Sequence, residues 1–162
     1  MEYYKTINDI KMNYIDVLQI IQEINNNISL PLIAEYCLVY NIEENEVIRR
    51  SALYEYFLEG NCNIYVEILA KVFDGDIKYY VKKDGSHVVA GIGDFLYDVA
   101  GLISPHLYNE FIEYDLEGFQ NISDWMGPHN DENIRIIEQG SEIGKNKIDK
   151  LLGINYSRIK KD

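Results

Sequence analysis

Cys62, His87 and Asp98 are the residues whose types and spacing can do chemistry together. Cys62 directly follows Gly60-Asn61 and opens the run CNIYVEILAKVF (residues 62–73), apolar nearly all round, as a helix buried in a core is. At a helix N-terminus the backbone N–H groups and the dipole favour an anion, so a thiol there ionises more easily. A cysteine nucleophile also needs a base and a group that orients the base. His87 opens HVVAGI and Asp98 lies in FLYDV, and between these runs Gly93-Asp94 reads as a two-residue hairpin turn. That turn pairs Ile92 with Phe95, Gly91 with Leu96, Ala90 with Tyr97 and Val89 with Asp98. Side chains alternate along strands, so His87, Val89 and Gly91 share a face with Leu96 and Asp98. Asp98 becomes the diagonal neighbour of His87, at a Cα separation of roughly 7–8 Å. A slip of one residue turns Asp98 to the opposite face.

Each residue also has a plainer reading. A cysteine inside an apolar helix is a small hydrophobe, which is the expectation for Cys37. A lone histidine at a strand start is often an edge or capping residue. Asp98, between Tyr97 and Val99 in an otherwise apolar strand, needs a partner. His106 and His129 lie in Pro-containing loops with no metal-ligand spacing and are expected at the surface. Gly91-Ile92-Gly93 sits in a hairpin turn with no helix after it, so it is no phosphate loop. No metal, dinucleotide or other cofactor is expected.

The elements that must position these residues are legible in outline. Ile7, Ile10, Tyr14, Val17, Leu18 and Ile21 recur at helical spacing before the breaker Asn25-Asn26-Asn27. Ser29-Leu30-Pro31 reads as an N-cap and early helical positions, followed by Leu32, Ile33, Tyr36 and Tyr40 on one face. A third helix is predicted from about Glu43 to Leu58, with Val47, Ile48, Leu53, Tyr54 and Phe57 inward and Glu43, Glu44 and Glu46 in its first turn. Gly60-Asn61 ends it. The Cys62 helix runs to Gly75, and strands follow over 77–81, 87–92 and 95–99. Pro105 closes that block. A mixed segment with Trp125 leads to a C-terminal helical region from about Asp131 to Leu152, which Gly140 and Gly144 leave open as one helix or two. The expected class is α+β in a single domain over 1–162: a helical part (1–59), the Cys-His-Asp core (60–101) and a C-terminal part (102–162).

The stretches GNCNIYVEILAKVF, IKYYV and SHVVAGIGDFLYDVAG resemble the core of papain-like and transglutaminase-like cysteine enzymes, in particular small versions found in bacteria and their phages. Gly60, Cys62, His87, Val88, Val89, Ile92, Gly93, Asp94, Tyr97, Asp98, Val99 and Gly101 occupy the places of that pattern, which covers about residues 60–101. The resemblance implies Cys62 as nucleophile, His87 as base and Asp98 as orienter. With Asp as third member it is closer to transglutaminases and arylamine acetyltransferases than to papain, whose third member is Asn. Papain-like enzymes also use an upstream Gln in the oxyanion hole. Gln19 and Gln22 are the upstream candidates here, and the pattern assigns neither.

Charge narrows the partners. Fifteen basic residues against 27 acidic give a net charge of -12, which disfavours phosphate neutralisation and anionic membrane surfaces. Residues 84–134 hold ten acids and no Lys or Arg, a solvated acidic face or a surface for a cationic partner. No apolar run approaches the roughly 20 residues of a membrane span, the N-terminus has no signal-peptide core, and two cysteines make no disulfide framework, so a cytoplasmic protein is expected. Two functions follow. One is a cysteine hydrolase or acyltransferase acting on an amide or acyl bond of a protein or peptide substrate. The other is a non-catalytic acidic binding protein, such as a phage-type inhibitor that covers a cationic nucleic-acid-binding surface of a defence protein.

Overall fold

The computed structural model describes residues 4–7, 10–74, 76–114 and 129–160. Gly75 and Trp125 lie outside them, as do residues 115–128 of the acidic stretch. The described residues form an α+β structure in which helices pack beside a small antiparallel sheet.

The chain opens with a hairpin of β1 (Tyr4–Ile7) and β2 (Ile10–Asn13), and not with the helix expected from Ile7 onward. Helix α1 (Tyr14–Asn27) starts only after it, because Asn13 and Asp16 make a reciprocal cap: the Asp16 N–H donates to Asn13 Oδ1 (3.0 Å) and the Asn13 N–H to Asp16 Oδ2 (3.1 Å). Its buried stripe is Val17, Ile20, Ile21 and Ile24. The helix runs through the Asn triplet rather than breaking before it.

Helix α2 (Pro31–Tyr40) has Pro31 in its first turn, as expected, but the N-cap is Leu30 and not Ser29. Ser29 is held elsewhere, its N–H donating to Gln139 Oε1. Helix α3 (Glu46–Leu58) begins at the Asn45 cap, whose Oδ1 accepts the Ile48 N–H at 2.9 Å, so Glu43 and Glu44 fall outside it. Ile48, Ala52, Leu53 and Phe57 face inward. Tyr40, expected in the apolar set of its helix, and Val47, expected inward, are both exposed.

Helix α4 (Cys62–Val72) is the centre of the core, with every residue but Lys71 buried. Beside it stands a five-stranded antiparallel sheet in the order β6-β5-β4-β3-β7: β3 (Lys78–Lys82), β4 (Val88–Ile92), β5 (Phe95–Asp98), β6 (Gly101–Leu102) and β7 (Phe111–Tyr114). The three strands read from the sequence are present to within a residue. The register of β4 on β5 is Ala90↔Tyr97, Gly91↔Leu96 and Ile92↔Phe95, three of the four pairs expected from the Gly93-Asp94 turn; the fourth, Val89 with Asp98, lies beyond the end of the ladder. Gly93 takes a φ of +67°, which such turns require. β6 and β7 were not read from the sequence. β7 follows a 3-10 turn (Pro105–Glu110) and pairs with β3.

The C-terminal region is one continuous helix, α5 (Asp131–Lys160). Gly140 and Gly144 do not divide it; they let it approach α4. A Cβ on Gly140 would stand 2.9 Å from Ile68 Cδ1, and one on Gly144 would overlap Val72 and meet Ile24 Cδ1 at 3.2 Å. Alanine is the better helix former by about 1 kcal/mol, yet Gly144→Ala is expected to destabilise by about 1–3 kcal/mol through overpacking. Urea denaturation checks this, with Val72→Ala in the same chain recovering part of the loss.

Candidate active site

Cys62 is the first residue of α4, where the N–H groups of the opening turn have no acceptor within the helix. The chain enters through Gly60 at a φ of +112°, a conformation L side chains rarely adopt. His87 lies immediately before β4, its carbonyl accepting the Lys82 N–H at 2.8 Å. Asp98 ends β5. The structure brings the three together. His87 Nε2 lies 3.0 Å from Asp98 Oδ2, and the same ring is a hydrogen-bond neighbour of the Cys62 thiol. With Nε2 turned to the carboxylate, Nδ1 remains for the sulfur. The ladder between β4 and β5 ends at Ala90↔Tyr97, leaving the Val88 N–H free to donate to the Cys62 sulfur.

The electrostatics of the pair agree. Burial, the largest influence on Cys62, pushes its thiol up. The hydrogen bond with His87, the Val88 N–H, the charge of the imidazolium and the Asn63 N–H act the other way and hold the thiol below its ordinary value. On His87, burial again acts most strongly and disfavours the cation. Hydrogen bonds with Asp98 and Cys62, and the negative charge on each, outweigh it and raise the ring to about 9. Each group thus favours the charged form of the other, the thiolate and the imidazolium. The sulfur is largely covered, with Cys62 8% exposed, whereas the His87 and Asp98 side chains are 17% and 16% exposed.

Asp98 is itself oriented. Its Oδ1 accepts the Ala100 N–H at 2.8 Å. The neighbouring Val99 carbonyl accepts from Asn25 Nδ2 at 2.8 Å, and Asn25 Oδ1 accepts the Tyr65 hydroxyl at 2.8 Å. Tyr65 is fully buried one turn along α4 from Cys62. Burial raises its pKa well above the ordinary value, with the charges of Asp98 and Tyr54 adding to the effect. Asn25 and Tyr65 were missed by sequence reasoning. The available signal was Asn25 falling two helical turns after Leu18 and one after Ile21 and Gln22, on a side of α1 that meets the sheet. A cleft of about 480 Å³ opens behind the Asp98 turn between α1 and α3, and neither Cys62 nor His87 lines it. Gln19 and Gln22 are exposed on α1.

The remaining candidates divide. His106 is exposed, as expected. His129, also expected at the surface, is half-buried, with Nε2 3.8 Å from Oε2 of Glu67. Glu67 is buried in the middle of α4, and a buried carboxylate demands polar company, which draws the ring in. Cys37 is free and only half-buried, not enclosed. Among the described residues no helix is long and apolar enough to cross a membrane. Comparison of the chain with protein-family models, curated proteins and solved structures finds no match.

These shifts set a pH dependence. His87 stands above its ordinary 6.5, so its contribution to stability is complete below about 6.5 and is lost as pH rises through about 9. Cys62 is depressed, so its contribution is present above the ordinary thiol value and is lost as pH falls through the folded one. In Asp98→Asn the ring loses its carboxylate, and its NMR titration midpoint is expected to fall from about 9 back toward 6.5. A midpoint unmoved by that substitution contradicts the coupling.

Proposed function

We propose that this chain is a cysteine-dependent hydrolase or acyltransferase of amide or acyl bonds, working on a papain-like or transglutaminase-like core. The observation that supports this reading is the hydrogen-bonded series Cys62–His87–Asp98, with the thiol depressed and the imidazole raised. Perturbed groups in such mutual contact are what nucleophilic catalysis requires.

In this reading the Cys62 thiolate adds to the carbonyl carbon, and the π electrons move to oxygen. The N–H of Cys62, at the open end of α4, is the donor suited to that oxyanion. The intermediate collapses as the imidazolium of His87 gives its proton to the departing amine or alcohol, leaving a thioester on Cys62. Neutral His87 then takes a proton from water or an acceptor amine, which attacks the thioester and restores the thiolate. Water gives hydrolysis or deamidation, and an amine gives acyl transfer. Asp98 holds the ring and balances its positive charge.

Two measurements test the reading. Alkylation of Cys62 by iodoacetamide is expected to be fast, with an apparent pKa below the free-thiol value of about 8.5. Incubation with an activated acyl ester is expected to add one acyl group at Cys62, seen by mass spectrometry and absent in Cys62→Ala, whose cooperative thermal transition verifies that it folds. Asp98→Asn is expected to slow acylation by about 10²-fold, since an amide still orients the ring but stabilises its cation less. A slow, unshifted thiol that takes no acyl group contradicts the proposal.

A further inference from the structure

Helix α2 carries one charged residue, Glu35, among nine others that are apolar or aromatic, yet only Ile33 of its ten residues is buried. Such a helix normally lies inside a core. Here its C-terminal half emerges from the molecule. Leu38 is 82% exposed, Val39 75% and Tyr40 62%; Ile42 in the turn is 45% exposed and Val47 at the start of α3 62%. These five fall within ten residues at the tip of the α2–α3 hairpin. Single exposed leucines are ordinary, but a contiguous group of large apolar side chains marks an interaction surface.

The charge around it identifies what it fits. No Lys or Arg occurs between Lys11 and Arg49, whereas Glu35, Glu43, Glu44 and Glu46 flank the apolar residues and are exposed. Arg49 pairs with Glu44 at 3.1 Å, and the exposed Arg50 lies one helical turn from Glu46, so Glu35, Glu43 and Glu46 leave the rim with an excess of acid over that one cation. The tip consists of helix ends closed by their own bonds, with the Ile42 N–H donating to the Cys37 carbonyl, so it offers side chains and no strand edge for pairing. We propose that the α2–α3 tip is a docking surface for a basic amphipathic helix of a partner protein, its apolar stripe on Leu38, Val39, Ile42 and Val47 and its Lys and Arg toward Glu35, Glu43 and Glu46. The site is formed by other elements than those that hold Cys62 and does not depend on that residue's chemistry.

The test uses a synthetic peptide with leucines at helical spacing on one face and lysines elsewhere, and a scrambled peptide of the same composition with no apolar face. Fluorescence anisotropy is read on the full chain, on Leu38→Gln/Val39→Gln/Val47→Gln and on Glu35→Gln/Glu43→Gln/Glu46→Gln. All substituted side chains are exposed, and an unchanged thermal midpoint verifies the fold of each variant. The amphipathic peptide is expected to bind the native chain, with affinity falling at least about tenfold in each variant and with added salt. The scrambled peptide is expected to bind at least about tenfold more weakly. The proposal is overturned by failure of the amphipathic peptide to bind, by equal binding of both peptides or by undiminished binding to the apolar variant. It is also overturned if the native chain sediments as a dimer that the apolar variant dissolves, since a second copy then occupies the face.

Discussion

The enclosure of α4 is the constraint on which the rest depends. Ten of its eleven residues are buried, so it is held by packing on several sides: α3, the sheet, and α5 where Gly140 and Gly144 allow close approach, with α1 joined to it by the Tyr65–Asn25 hydrogen bond. A helix enclosed in this way meets solvent chiefly at its ends, where the backbone also leaves polar groups unpaired. Cys62 stands at the N-terminal end. The same burial that secures the helix covers the sulfur and makes a lone thiolate there unfavourable.

What reverses that penalty is a set of donors from separate elements. Asn63 contributes an N–H from within α4, Val88 one from β4 beyond the end of the β5 ladder, and His87 its ring from the residue before β4. The imidazole also sits in a partly buried place that disfavours its charge, and the carboxylate of Asp98 together with the thiol restores it. Neither ion is supported alone. Removing one partner from such a pair leaves the other as an uncompensated charge, so the ionisations rise and fall together.

The parts legible in the sequence were those fixed by local rules. Gly93-Asp94 set a turn, the turn set the register, and the register set His87 diagonal to Asp98 across the ladder. Cys62 was placed by the Gly60-Asn61 stop and the apolar run after it. Tertiary context decided the rest. Ile7 and Ile10 fit a helical period but lie in a hairpin, because the Asn13–Asp16 cap starts α1 later. Gly140 and Gly144 look like interruptions until the side chains of Ile68 and Val72 occupy the space a Cβ needs. His129 is drawn inward by Glu67, 62 residues earlier in the chain, which no local pattern reveals. Tyr40 and Val47 match the apolar period of their helices, and nothing in the described structure covers them.

The first turn of α4 carries more than the nucleophile. Tyr65, three residues after Cys62, gives its hydroxyl proton to Asn25, and Asn25 fixes the Val99 carbonyl beside Asp98. Cys62 and the anchor of the Asp98 turn are therefore referred to the same helical turn. Asp98 takes its second restraint from the Ala100 N–H within that turn. Side chains hold geometry for chemistry only when their supports are themselves packed. Here the support runs through a fully buried tyrosine, which ties the precision of the Cys62–His87–Asp98 series to the most enclosed helix in the fold.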